Sequence, residues 1–294
     1  MNEMKTSQMA IVIVNYNGIR DSVECIKSIY ESCDKNVSII FIDNGSINNE
    51  ADIIKSYYCN VVVIKSDYNG GFSYGNNLGI KYALDNNFEY IMLLNNDTVV
   101  DKNMIKNLRR YCDDTTVTVP QIRYFDCANN IWYGGGVINK VTGNSKHINI
   151  NDISKKQIKC SFATGCCILL KSSVIKRIGL LNEEYFMYCE DTDYSIRLNI
   201  NGVNIKYVPE AILYHKVGVS TGGEKSPFSV YYNTRNRILY IKKYHNFFYC
   251  TAYMFTIITR IIRLIQNLNK EEVVKSFFWG ICDGIRGING RYRY

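Results

Sequence analysis

Ile91-Met92-Leu93-Leu94-Asn95-Asn96-Asp97-Thr98 is the stretch that decides the fold. Four apolar residues stop abruptly at two amides and a carboxylate. A short apolar run bounded by polar residues predicts a buried strand. In an open α/β sheet, ligands bind in the crevice just past the carboxyl ends of the strands. Asp97 stands at such an end. A carboxylate flanked by amides there suits a hard divalent cation and the phosphates that the cation bridges. The same residues also fit a plain polar turn, with Asp97 capping a helix from Asp101 onward, since Asp is a favoured cap.

Three similar units precede this one. Met9 to Val14 is continuously apolar, as a strand buried on both faces should be, and ends in Asn15-Tyr16-Asn17-Gly18. Val23, Ile26, Ile29 and Tyr30 then recur at helical spacing. Val37 to Ile42 ends in Asp43-Asn44-Gly45-Ser46, and helix-like sequence follows from Asn48 to Tyr58. Val61 to Ile64 leads to a loop with Asn69-Gly70-Gly71. The helix after it carries Gly75-Asn76-Asn77 and runs to about Asn86. Strands and helices alternating with short connections predict a parallel sheet with right-handed crossovers. All four strands then end on one edge, where their Asn, Asp and Gly clusters converge. No GxGxxG follows the first strand and no GxxxxGK[ST] occurs, which argues against a dinucleotide-binding Rossmann domain and a P-loop NTPase. A nucleotide in this crevice would be held by side chains and a metal, not by a glycine cradle.

The second half changes character. Val117 to Phe125 and Ile131 to Ile138, with Gly134-Gly135-Gly136, predict short strands and a hairpin. Thr142 to Lys159 is polar and is expected to be a mobile loop. Ala163 to Leu170 is small, then apolar, and is expected to pack under the site. A short helix precedes Ile178-Gly179. Then Glu190, Asp191 and Asp193 follow an aromatic run, and Ile196, Leu198 and Ile200 suggest a helix starting there. The helix dipole favours acids in a first turn by about 0.3–1 kcal/mol, which accounts for one or two of them. A carboxylate held at a helix start also suits a general base. Val203 to Val208 and Ala211 to Tyr214 predict two strands, the second ending at His215 before a Gly/Ser loop suited to moving. Phe228 to Tyr244 is helical and includes Arg235. Phe247 to Thr259 is apolar and aromatic, with Arg260 and Arg263 beyond it. It is shorter than the roughly 20 residues that span a bilayer. It predicts an amphipathic helix lying in a membrane interface or on a partner, or else an ordinary helix docked on the core.

A chain of 294 residues allows one large α/β domain with an appendage, or two domains. With 47% hydrophobic and 21% charged residues it can build a real core. The eleven cysteines include no CxxC pair, only the doublet Cys166-Cys167. Met1 to Gln8 is polar and resembles no signal peptide. The expectation is free thiols acting as small hydrophobes in a reducing cytoplasm. The net charge of +8 is uneven. From Arg237 to the end, ten basic residues stand against Glu271, Glu272 and Asp283. Beside an apolar run, this excess points to an anionic lipid surface, here the inner face of the cell membrane, rather than to nucleic acid. Charge serving solubility alone is the plainer alternative.

The succession Val14-Asn15-Tyr16-Asn17, Phe41-Ile42-Asp43-Asn44-Gly45-Ser46, Asn69-Gly70-Gly71-Phe72 with Gly75-Asn76-Asn77, Leu94-Asn95-Asn96-Asp97, Glu190-Asp191 and His215 resembles family 2 glycosyltransferases. Within them it looks most like the bacterial rhamnosyltransferase-like branch. The resemblance covers about residues 9 to 245. Each motif alone is weak, but six in order are specific. It implies an α/β GT-A fold, with a mostly parallel nucleotide-binding sheet flanked by helices. Residues 1–245 would form the transferase domain: 9–112 the nucleotide-sugar-binding half and 113–245 the acceptor-side half. Residues 246–294 would be a C-terminal amphipathic helical extension.

The resemblance further implies a nucleotide-diphosphate sugar donor, a divalent metal (Mn²⁺ or Mg²⁺) and inversion at the anomeric carbon. By position, Tyr16 would stack on the nucleobase with the backbone of Val14 and Asn15 nearby, and Asp43 would accept from the base N3–H. The Asn69 loop with Gly71, and Asn76 or Asn77, would border ribose and base. Asn95 would touch the ribose, with Asn96 beside it. Asp97 would bind the metal and His215 would complete its shell. Asp191 matches the general base, with Glu190 beside it, and Arg235 is the candidate for a diphosphate or acceptor contact. One departure matters: the family's Asp-x-Asp is here Asn95-Asn96-Asp97, so metal affinity without nucleotide should be poor. The implied reaction moves a sugar from dTDP-rhamnose or a UDP-sugar to a glycan or lipid-linked acceptor in surface polysaccharide biosynthesis. The rivals are a non-catalytic binding protein on a degenerate transferase fold and a sugar-nucleotide nucleotidyltransferase. The latter needs a basic Gly-rich loop near the N-terminus, where residues 14–20 hold one Gly and one Arg.

Overall fold

The four apolar runs of the first half are strands, each followed by the chain reversal its polar cluster predicts. In order come β1 (Met9–Asn15), α1 (Ile19–Glu31), β2 (Val37–Asp43), α2 (Glu50–Tyr57), β3 (Val62–Lys65), α3 (Phe72–Asp85) and β4 (Tyr90–Asn95). The structure is a computed structural model and describes residues 9–34, 36–148, 159–217 and 226–292. β1 lies between β2 and β4, parallel to both, with Ile11 opposite Ile39 on one side and Met92 on the other; β3 is parallel to β2 beyond it. Fully buried Ile11, Ile13, Ile40, Phe41 and Met92 make the centre of the core, and α1 covers it with Cys25, Ile26 and Ile29. Apolar side chains on both faces of these strands are what a parallel sheet covered by helices demands.

After β4 the chain does not enter a helix at Asp101. Asn96 and Asp97 form a turn into β5 (Thr98–Val100), and only then does α4 (Met104–Arg109) begin. The reading of Asp97 as a helix cap therefore fails. The remaining strands are β6 (Thr116–Tyr124), β7 (Ile131–Tyr133), β8 (Gly136–Ile138), β9 (Ser145–His147), β10 (Lys159–Cys160) and β11 (Cys167–Lys171). Next come α5 (Ser172–Ile178), α6 (Glu190–Ile200) and β12 (Asn204–His215). β11 runs antiparallel against β4, so the sheet continues through β6 to β12 and β10. The short β5 pairs with the end of β12, placing Thr98 opposite His215.

Several expectations change in detail. Residues 131–138 are not a hairpin of their own: β7 pairs with β6, and β8 pairs with β9. Ser145–His147, expected in a mobile loop, is thus a strand, and residues 149–158 of that stretch lie outside the described residues. The two strands expected over 203–214 are one, β12, with a register shift between Val208 and Ile212. The loop expected to move after His215 falls on residues 218–225, again outside the described residues. All eleven cysteines are free thiols.

The C-terminal part is α7 (Pro227–Lys243), α8 (Cys250–Gln266) and α9 (Glu271–Arg286). α8 runs past Thr259 and includes Arg260 and Arg263. α9 packs directly on α7. A Cβ on Gly280 would lie 2.9 Å from Thr234 Cβ, and one on Gly284 would lie 2.9 Å from Ile238 Cβ. Among the described residues, no helix is long and apolar enough to cross a membrane.

Candidate active site

The strand ends do converge, and much of the polar cluster there holds the crevice together. Asn15 is fully buried at the end of β1. Its Oδ1 accepts from the Gly18 N–H, Ser22 Oγ and Asn96 Nδ2, and its Nδ2 donates to Glu50 Oε2 at 2.6 Å. The Asn15 carbonyl accepts from the Asn44 N–H at 2.9 Å. Asn96 Nδ2 also reaches Ser22 Oγ at 3.0 Å. The amides of Asn15 and Asn96 are therefore engaged as scaffold. Asn77 is engaged too: it donates to the Leu181 carbonyl and to Glu183 Oε1, and accepts from the Leu181 N–H. Asn76 bonds back to the Phe72 carbonyl within its own helix. Asn69 Oδ1 caps the Gly71 N–H at 2.9 Å. Satisfied buried amides of this kind fix a backbone, at a net gain of about 1 kcal/mol per bond.

Other side chains in the crevice are not satisfied. Asp43 is fully buried at the end of β2. Its Oδ1 accepts from the Ser46 N–H, while Oδ2 has no partner. Tyr16, just past the end of β1, is 45% exposed. Val14 is half-buried, and the half-buried Asn95 donates its N–H to the Cys166 carbonyl.

The β4–β5 turn and the end of β12 bring Asp97 and His215 together. Both are buried, and Asp97 Oδ1 lies 3.2 Å from His215 Nε2. Asp97 Oδ1 nevertheless has no hydrogen-bond partner, nor has His215 Nδ1. The His215 ring stands edge-on to Trp132 at 4.7 Å, which fixes its plane. Two lone-pair donors 3.2 Å apart fit adjacent corners of an octahedral ion with metal–ligand bonds near 2.1 Å, whose edge is about 3 Å. Among the described residues no group of three or more His, Cys, Asp or Glu could hold a metal ion. Any further ligands would be water or phosphate oxygens.

Ahead of α6 the chain is strained. Phe186, Tyr188 and Cys189 have φ of 62°, 65° and 71°. Non-glycine residues rarely adopt these values, and each costs of order 1–3 kcal/mol unless its surroundings hold it. Here α7 holds it. Arg235 donates to the Tyr185 carbonyl at 2.9 Å, and Asn236 Nδ2 lies within bonding distance of the carbonyls of Tyr185, Met187 and Tyr188. The Phe72 N–H donates to the Phe186 carbonyl from the other side. This loop delivers Glu190 and Asp191 to the first turn of α6. Asp191 Oδ2 accepts from the Gly165 N–H at 3.2 Å and Oδ1 from the Thr192 N–H at 2.7 Å. Burial pushes the Asp191 carboxyl above its usual range, against these two bonds. Glu190 is buried with Oε2 unpartnered; burial, then the neighbouring Asp191, push it up to about 8.

Arg235 is not where a diphosphate contact was expected. It is fully buried, its guanidinium donates to Tyr185, Gly290 and Asn236, and it faces the rings of Tyr231 and Tyr232. Sequence reasoning missed Glu50, Asn236 and Trp132. Only Asn236 carries a local signal, an amide in the middle of a helix where it is a poor helix former.

Residues 10–179, more than half of the chain, match the family model described as Glycosyl transferase family 2. The low-salt glycan biosynthesis hexosyltransferase Agl10 of Haloferax volcanii is 26% identical over 293 residues, covering 96% of this chain and 92% of that protein. The dTDP-rhamnosyl transferase RfbF of Shigella flexneri is 26% identical over 301 residues, covering 98% and 99%. Among solved structures, the mannosyltransferase PcManGT from Pyrobaculum calidifontis, in complex with GDP-Man and Mn²⁺, superposes with a TM-score of 0.61 at 9% identity, over 95% of this chain and 87% of that one. The fold is that of the GT-A glycosyltransferases.

Proposed function

The chain belongs to glycosyl transferase family 2, and from that premise we propose an inverting transfer of a sugar from a nucleotide-diphosphate donor to a hydroxyl of a glycan or lipid-linked acceptor. The meeting of Asp97 and His215 at the crevice, with a carboxylate oxygen left without a hydrogen bond, carries this reading. A buried polar atom without a partner costs stability. Asp43 Oδ2, Asp97 Oδ1 and Glu190 Oε2 are three buried carboxylate oxygens left open to a ligand. This weighs against a non-catalytic protein on the same fold.

Each residue then has a task. Asp43 Oδ2 accepts an N–H of the nucleobase, and Tyr16 stacks on the base. The Asn15, Asn69 and Asn96 bonds hold the loops that border it. Asp97 and His215 would hold a divalent cation, which would supply Lewis-acid stabilisation of the charge on the leaving diphosphate. Asp191, steadied by two backbone N–H groups, takes the proton of the attacking hydroxyl. One displacement with one base on the face opposite the leaving group inverts the anomeric centre. Retention in the isolated product would refute Asp191 as that base.

The relatives support dTDP-rhamnose or another hexose donor and a role in surface glycan assembly. The basic, apolar residues 246–294 support an acceptor at the inner face of a membrane. The test is thermal melting with UDP, dTDP and GDP, each with Mn²⁺ or EDTA, in wild type and Asp97→Ala. A ligand at 100 times its Kd stabilises by about 2.7 kcal/mol. A shift with one diphosphate that needs both metal and Asp97 is the expected result. No shift with any of them in a folded sample would return the scaffold reading.

A further inference from the structure

Away from the donor crevice, α7 and α8 enclose a cavity of about 210 Å³ whose charged lining is all of one sign. Arg237, Arg260 and Arg263 face it, with Asn144 from the β8–β9 hairpin, and Phe255 and Ile262 form an apolar wall. Among the described residues no carboxylate pairs with any of the three. Arg237 is held in place by Thr256 Oγ1 and the Thr142 carbonyl. Arg260 is only 6% exposed, and its Nε has no partner. Burial and the charges of Arg237 and Arg263 press its pKa down to about 10. Three guanidiniums gathered in a cavity, one of them buried with its Nε unpartnered, are costly without an anion. Planar guanidinium forks match phosphate oxygens better than any other common anion-binding side chain.

The surroundings say what kind of phosphate. The lip of the cavity is the exposed apolar face of α8, where Phe255, Ile258, Ile262 and Ile265 are 39 to 57% exposed. The floor leads toward the catalytic end of α6. Ser145, next to Asn144, bonds to Thr192 at 3.3 Å, and the Thr192 N–H donates to Asp191. Arg237 and Arg260 also lie close enough to Cys189 to act on its thiol. A molecule seated here would have its phosphate on the arginines, its hydrocarbon along α8 and its sugar toward Asp191.

We propose that Arg237, Arg260 and Arg263 form the acceptor subsite for the phosphate-ester head of a lipid-linked glycan. The proposal rests on the transferase reading for its meaning but not for its test. The full chain is titrated in EDTA, so that the Asp97–His215 pair cannot recruit phosphate through a metal. The probes are farnesyl diphosphate, inorganic pyrophosphate, farnesol, and phosphatidylcholine vesicles with and without phosphatidylglycerol. Farnesyl diphosphate should bind at least tenfold more tightly than pyrophosphate or farnesol. Arg263→Gln, at an exposed position, should weaken it tenfold or more, and so should Arg237→Gln. Should Arg260→Gln fail to fold, these two variants still decide. Unchanged affinity in both overturns the subsite. Binding to phosphatidylglycerol vesicles without binding of the soluble diphosphate assigns the arginines to bulk lipid and also overturns it. A chain that takes farnesyl diphosphate but shows no nucleotide-dependent melting shift keeps the phosphate site and loses the transferase reading. The reverse pattern loses only the subsite.

Discussion

Asp191 and Glu190 are adjacent carboxylates in unlike settings, and the difference divides their roles. Asp191 has two backbone N–H donors that favour its ionised form, whereas Glu190 Oε2 has none. On the mechanism proposed above, Asp191 is the member of the pair that ionises first and would serve as base, while the buried Glu190 keeps its proton. Asp191→Asn should lower turnover by about 10²–10⁴-fold while the nucleotide-dependent melting shift persists. Equal loss of both would mark a structural residue. Glu190 has a signature in stability. Its folded pKa is about 8 against an ordinary value of 4.5. Between those values the folded chain holds a proton that the unfolded chain releases. Its contribution is complete below pH 4.5 and is lost as pH rises toward 8, by about 1.4 kcal/mol per pH unit at most. Glu190→Gln should flatten that slope in urea midpoints measured across the range; an unchanged slope would place the titration elsewhere. At this scale the sequence shows which carboxylates and amides reach the crevice, because strand ends are legible. It does not show which of them are engaged. Arg235 bonds to backbone carbonyls and Asn77 to Leu181, partners that no spacing reveals.

Whole elements decide which of these residues meet. The parallel half is legible because its strands are continuous apolar runs and its helices repeat at 3.6. β5 is not legible: Thr98-Val99-Val100 is too short to show a period, yet its pairing with β12 is what puts Asp97 beside His215. The strained loop before α6 is equally silent in sequence, since its positive φ values fall on Phe186, Tyr188 and Cys189, not on glycine. Its counterpart is visible. Gly71 has φ of +90°, and a Cβ there would lie 2.2 Å from the Phe186 carbonyl oxygen. Gly71→Ala should therefore destabilise by about 1–3 kcal/mol and push Phe186 away. Since the loop positions Asp191, activity should fall more than the drop in melting temperature explains. Activity that tracks folded fraction alone would show that the loop tolerates the shift.

Across the whole molecule, residues 246–292 pack back onto α7. The resemblance to the transferases ends near residue 245 and a basic, apolar run follows, which is why the sequence suggests an extension there. Gly280 and Gly284, one turn apart, mark a helix that approaches another closely. α9 uses them to lie on Thr234 and Ile238 of α7. Tyr231 of α7 donates to Asp283 of α9 at 2.7 Å, and Arg235 donates to the Gly290 carbonyl at 2.7 Å. That arginine also braces the Tyr185 carbonyl ahead of Glu190 and Asp191. Removing the last helices would leave a buried guanidinium short of a partner, a class of change costing about 3–5 kcal/mol when the lost partner is charged and less for a carbonyl. It would also uncover the α7 face that α9 covers. A chain ending at residue 249 should therefore melt well below the full chain, and its nucleotide-dependent shift should weaken as the loop before α6 loosens. In urea the full chain should unfold in one transition monitored by Trp132 in the sheet and Trp279 in α9, separated by substituting one Trp at a time. Two transitions, with Trp279 released first and the nucleotide shift intact, would instead show that α9 rides on the transferase without supporting it. The bracing of the loop before α6 would then rest on Asn236 and the Phe72 N–H without help from α9.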